Sequence, residues 1–174
     1  GEEAALAAGG VVVRTGWLYG PGGRNFVDAI LERAEAGQSL KVVDDQWGRP
    51  TRARNVAEVV LELLERDPFD AGLRRDGEDA PAIWHVADRG EATWLELARE
   101  ACRIRGVDVS IEGVSTEEWG AAAPRPAYSV LDLTETERVL GRPMMPWREA
   151  LRLHLEEDRR MDDEDRPMDE EHSA

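Results

Sequence analysis

Residues 11–15, Val-Val-Val-Arg-Thr, run directly into a glycine-rich stretch, Gly16 to Arg24, and then into a helical pattern. A short run dominated by β-branched side chains reads as a strand buried on both faces, as in a parallel sheet. Open sheets of that kind place their ligands in loops at the carboxyl ends of the strands. This unit commits the chain to an α/β architecture and marks the glycine-rich loop as a place to look for function. Ahead of it, Glu2 to Ala8 reads as the end of a helix stopped by Gly9 and Gly10.

Downstream, Phe26, Ala29, Ile30 and Ala34 recur at helical spacing, with Asn25 available as N-cap and Gly37 as stop. Leu40 to Val43 reads as a strand. Asp44 to Thr51 holds too many turn formers for regular structure and is a shaped loop. A helix is predicted over 55–65, an exposed acidic loop over 67–81 and a strand over 82–87. Thr93 and Glu96 form a capping box for a helix through Arg105, with Leu95, Leu97, Ala98 and Cys102 facing inward. Val107 to Val114 alternates as a strand does. Ser115 with Glu118, and Thr134 with Glu137, repeat the capping-box spacing on either side of a proline-rich stretch, 123–130. Pro146 opens a last helix, to about Glu157.

A chain of 174 residues with 41% hydrophobic content can bury a real core. Its net charge of -15, from 37 acidic and 22 basic residues, repels nucleic acid and anionic membrane surfaces. No apolar run approaches the roughly 20 residues needed to span a bilayer, and no signal peptide opens the chain, so it reads as soluble and cytoplasmic. Cys102 is the single cysteine, which leaves no internal disulfide, and three separated histidines give no zinc pattern. Residues 156–174 hold ten acids against three arginines and read as a disordered tail. Only one basic residue, Lys41, is a lysine. No glycine pattern of the Gly-x-Gly-x-x-Gly type occurs, because position 25 is asparagine.

Three segments carry a resemblance. Arg14-Thr15-Gly16-Trp17-Leu18-Tyr19-Gly20-Pro21-Gly22-Gly23 with Asn25-Phe26-Val27, then Val43 to Thr51, then Arg125-Pro126-Ala127-Tyr128-Ser129-Val130-Leu131 resemble, in order, motifs of the dTDP-4-dehydrorhamnose reductase family. These are extended short-chain dehydrogenase/reductases, and the similarity runs from Gly1 to about Leu155. It implies the C-terminal part of a Rossmann-like fold with a small α+β substrate-binding domain. Residues 1–24 would close the dinucleotide-binding domain, 25–155 would form mainly the substrate-binding domain with some return to the Rossmann part, and 156–174 would be the tail.

The family reduces the C4 ketone of a dTDP-linked deoxysugar with NADPH (or NADH), using a Tyr-x-x-x-Lys pair. That pair does not occur here: Lys41 is preceded four positions earlier by Gly37, and neither Tyr19 nor Tyr128 has a lysine four residues on. The resemblance therefore implies a C-terminal portion, inactive as a reductase alone, with an unpaired strand edge that favours aggregation or a homodimer. It places Trp17, Asn25, Gln46, Trp47 and Arg125 at the substrate, with Arg125 on the diphosphate, and Thr15 and Gly16 at the nicotinamide. The family commonly has serine at the position of Gly16. Each residue also has a plainer role open to it: core packing for Trp17, capping for Asn25, bracing a turn for Gln46. Another nucleotide-sugar reductase or epimerase, or a non-catalytic reductase-like subunit, fits the same motifs.

Overall fold

The computed structural model describes residues 1–8, 10–65, 83–121 and 123–164, with side chains described through Arg159. The leading unit comprises α1 (Glu2–Ala7), β1 (Val12–Arg14), β2 (Leu18–Tyr19) and α2 (Phe26–Glu35). Asn25 caps α2, its Oδ1 accepting from the Asp28 amide at 3.1 Å, and Val27, Ile30, Leu31 and Ala34 bury one face. There follow β3 (Leu40–Val43), β4 (Trp47–Gly48), β5 (Thr51–Arg52), α3 (Ala53–Glu65), β6 (Ile83–His85) and β7 (Ala92–Thr93). The chain continues through α4 (Trp94–Arg105), β8 (Ile111–Val114), α5 (Thr116–Trp119), α6 (Thr134–Leu140) and α7 (Trp147–Glu164). Thr93 and Glu96 form the reciprocal box predicted for α4, and Gly106 ends that helix at φ 74°.

The strands associate in pairs. β1 lies parallel to β6 with Val12 opposite Ile83, β2 parallel to β5, β3 parallel to β8, and β4 antiparallel to β7. Parallel partners require crossovers, and helices supply them. Two cores result. Ile30, Leu40, Leu97 and Leu151 pack together from α2, β3, α4 and α7. Leu63, Trp84 and Leu140 pack together from α3, β6 and α6. The second core backs β1 and the first backs the cleft described below.

Five local expectations fail for identifiable reasons. The strand at β1 is not buried on both faces: Val11 and Val13 are 38% and 37% exposed, because β6 is the one strand beside it among the described residues. The loops at 16–24 and 44–51 are partly strand, since Leu18–Tyr19 pairs with Thr51–Arg52 and draws the two together. Thr134 is not an N-cap; it is the first residue of α6, and Asp132 Oδ1 accepts from both its amide and its hydroxyl. The last helix does not stop at Glu157 but reaches Glu164, so 156–164 are helical. The remainder of that acidic segment and the 67–81 loop lie outside the described residues. At the chain's start, Ala8 rather than a glycine is the C-cap of α1, while Gly10 is needed where its amide meets Ala5 O, a contact that would put a Cβ at 2.9 Å.

A buried polar cluster joins β5, α3 and the residues after β6. Asp88, fully buried, accepts from the Arg52 amide and from Asn55 Nδ2, each at 2.8 Å. Burial outweighs these bonds and raises the carboxyl from 3.8 to about 6. A carboxyl raised on folding stabilises the fold fully below its unfolded value and loses that contribution as pH rises through about 6. Asp45 and Asp132, both hydrogen-bonded by threonines, are shifted downward instead. Carbon-detected NMR titration should find the Asp88 carboxyl with its midpoint near 6 and those two below the usual aspartate range. An Asp88 midpoint near 4 would show that water reaches it.

Candidate functional site

The glycine-rich loop turns at Trp17, a non-glycine residue with φ 51°. Such a backbone conformation is uncommon outside glycine and needs support from its surroundings. Part of that support is the Thr51 amide, which donates to Trp17 O at 3.1 Å. The Trp17 indole stacks on Trp94, the first residue of α4, with centroids 3.6 Å apart and planes 8° from parallel. Gly48 makes room for it: a Cβ there would lie 2.2 Å from Trp17 Cε2. Phe26 leans on Trp94 from the start of α2, at 4.7 Å and 54°.

In front of this aromatic group lies a cleft of about 380 Å³ between α2, β3 and the segment after α5. Phe26, Trp94 and Trp119 give it aromatic walls, and Val42 and Val43 contribute apolar floor. Arg33, Lys41 and Arg125 line it, while no carboxylate among the described residues does, although the chain carries 37 acids. Lys41 is partly neutralised by Glu112 at 3.3 Å. Arg125 is exposed and has no ion pair among the described residues. Apolar walls with convergent cations suit a ligand that is flat at one end and anionic at the other.

The predicted site residues separate on this geometry. Gln46 and Arg125 line the cleft; Trp17 stands behind its wall, reached through Trp94. Asn25 is occupied by its own turn, for besides capping α2 its Nδ2 donates to Gly20 O at 3.1 Å and to Asp28 Oδ2 at 2.5 Å. Trp47 is 39% exposed, and its backbone carbonyl takes the Ser129 amide at 2.9 Å, which ties the second and third motifs together. Thr15 and Gly16 follow β1 and lie outside the cleft lining. Reasoning from motifs missed Phe26, Trp94 and Trp119, along with Arg33 and Lys41. A signal existed for Trp94, an indole placed directly after a capping threonine where the helix itself needs none.

Residues 1–160 match the family model described as the RmlD substrate binding domain. The spore coat polysaccharide biosynthesis protein SpsK of Bacillus subtilis (strain 168) is 41% identical over 146 residues, 84% of this chain and 47% of that protein. The crystal structure of a dTDP-4-dehydrorhamnose reductase from Clostridium acetobutylicum superposes with a TM-score of 0.74 at 32% identity, covering 86% of this chain and 49% of that one. A Bacillus anthracis dTDP-4-dehydrorhamnose reductase, solved in complex with NADP, gives 0.72 at 32% identity over 84% of this chain and 48% of its own. The chain thus spans about half the length of the relatives it matches. Its α/β fold is that of the Rossmann-like extended short-chain dehydrogenase/reductases, and by sequence and fold together the chain belongs to the RmlD substrate binding domain family.

Proposed function

We propose that this chain holds the dTDP-linked sugar in an NADPH-dependent reduction of dTDP-4-dehydro-L-rhamnose to dTDP-L-rhamnose, a precursor of cell-surface polysaccharide. The observation that carries the reading is the cleft: aromatic walls and three cations, with no carboxylate among its described lining residues, on a chain of net charge -15. Phe26, Trp94 and Trp119 stack the thymine or cover its edges, and Gln46 lines the seat beside them. Arg125 pairs the diphosphate, because a planar guanidinium can bind two phosphate oxygens at once.

NADPH supplies the hydride when bound. The carboxyl end of β1 fits one side of such a cofactor: the Thr15 hydroxyl is buried with no hydrogen-bond partner among the described residues, and a Cβ at Gly16 would meet nothing within 4 Å among them. Thr15 and Gly16 would hold its nicotinamide end. A glycine fingerprint for the pyrophosphate is absent from the 174 residues. What these residues do is bind and orient the sugar nucleotide and exclude water from its base.

Isothermal titration of the chain with dTDP, UDP and GDP tests the reading. Binding of dTDP in preference to the other two supports it, and failure of all three to bind would sink it. Within that experiment, Arg125→Ala should weaken dTDP about tenfold or more, as loss of a charge-assisted bond implies, with a shallower salt dependence. Unchanged affinity in that variant would remove Arg125 from the diphosphate.

A further inference from the structure

From the wall of the cleft outward runs a chain of four hydrogen-bonding side chains from three separate parts of the sequence. Thr116, the first residue of α5, has its hydroxyl 2.5 Å from Asp45 Oδ1. Its backbone amide donates to the same carboxylate, at 3.0 Å to Oδ1 and 2.9 Å to Oδ2. Gln46 Nε2 lies 2.9 Å from Thr116 Oγ1, and Gln46 Oε1 lies 3.2 Å from Trp94 Nε1.

The direction of every bond follows from the first. An ionised carboxylate only accepts, so the Thr116 hydroxyl donates to Asp45. These threonine bonds also hold the Asp45 carboxyl below its ordinary range, so it is ionised at neutral pH. With its hydrogen committed, Thr116 Oγ1 can only accept, and Gln46 must turn its NH2 group toward it. The Gln46 carbonyl is then left facing Trp94 Nε1, and an indole N–H can only donate. A reversed glutamine would set NH2 against N–H at one end and a carbonyl against a lone pair at the other.

Trp94 needs this anchor. A nearly parallel pair of indoles at 3.6 Å departs from the offset or edge-on arrangement that aromatic quadrupoles favour. Trp94 also faces the cleft while Trp17 packs behind it. Resting on the reading of the cleft as a dTDP seat, we infer that Thr116, locked by Asp45 and acting through Gln46, is a positioning residue that sets the Trp94 indole as the wall of that seat. Thr116 touches no ligand in this arrangement; its effect reaches the cleft through the orientation of one amide.

The test uses Thr116→Val and Thr116→Ser in the 174-residue chain, with Gln46→Met as an independent break in the same chain of bonds. Valine removes the hydroxyl but keeps the amide that Asp45 holds, so α5 stays anchored. Two readouts are taken: the near-ultraviolet circular dichroism of the stacked indoles and dTDP affinity by titration. The expected result is a reduced indole signal and about five- to tenfold weaker dTDP binding in Thr116→Val and Gln46→Met, with Thr116→Ser close to the parent. An indole signal in Thr116→Val equal to the parent's would overturn the inference, as would serine failing to restore it. If the parent binds no dTDP while the valine variant still loses the indole signal, the nucleotide reading of the cleft fails and the coupling of Thr116 to Trp94 stands.

Discussion

Purified alone and mixed with NADPH and dTDP-4-dehydro-L-rhamnose, the 174-residue chain is expected to consume no cofactor above background. Reduction of a ketone needs a proton for the nascent alkoxide, and a positioned general acid typically contributes about 10² to 10⁴ in rate. The Tyr-x-x-x-Lys pair that the resemblance implies as proton source is absent from these 174 residues. The two tyrosines present cannot replace it. Tyr19 is 2% exposed, with its hydroxyl buried and burial pushing its pKa upward, and Tyr128 has its hydroxyl on Glu91 at 3.1 Å, away from the cleft lining. The 174 residues also contain no glycine fingerprint for a dinucleotide, so the combined loss against an ordinary enzyme should exceed about 10⁴. Steady-state NADPH oxidation decides it. Turnover at about 1 s⁻¹ or faster would mean that another group supplies the proton.

The second large effect is expected at Gly48. Its replacement by alanine would put a methyl carbon 2.2 to 2.7 Å from three atoms of the Trp17 indole. Neither side can yield easily. Trp17 is pinned by its stack on Trp94 and by the Thr51 amide, and Gly48 belongs to the β4–β7 pair opposite Ala92. Overpacking of this kind costs about 1 to 3 kcal/mol, and the rigid indole puts Gly48→Ala at about the upper end. Urea denaturation should therefore show a lowered midpoint with an unchanged slope, together with loss of the stacked-indole dichroism. A variant of parental stability with the stack intact would mean that the strand slides to make room. Gly16→Ala is the matched control, since a Cβ there meets nothing within 4 Å.

Legibility in the sequence followed the distance over which each feature is determined. The Thr93–Glu96 capping box and the Asn25 cap are settled within three residues, and both form where the spacing places them. Thr134 shows the limit of that reasoning: the same spacing is present, but Asp132 lies closer and takes its amide and hydroxyl. The β1 run was readable as a strand by composition, whereas its burial depended on neighbours that composition does not reveal. The family followed from three ordered motifs, and the cleft did not. Trp17 and Trp94 are far apart in sequence and meet only because β2 pairs with β5 and β4 with β7. Gln46 could be suspected as a ligand contact from its motif; that its amide is oriented from Asp45 through Thr116 could not.

The end of α7 changes how the acidic carboxyl-terminal region should be regarded. Glu157 pairs with Arg52, whose side chain is 6% exposed, and Asp158 lies 3.3 Å from Arg105, whose side chain is 14% exposed. A polypeptide stopped after Leu155 to shed negative charge would strip Arg52, which water scarcely reaches, of its Glu157 counter-ion and leave Arg105 with Glu35 alone, at 3.6 Å. An uncompensated interior cation is costly, so such trimming would weaken the body of the protein instead of merely shortening its fringe.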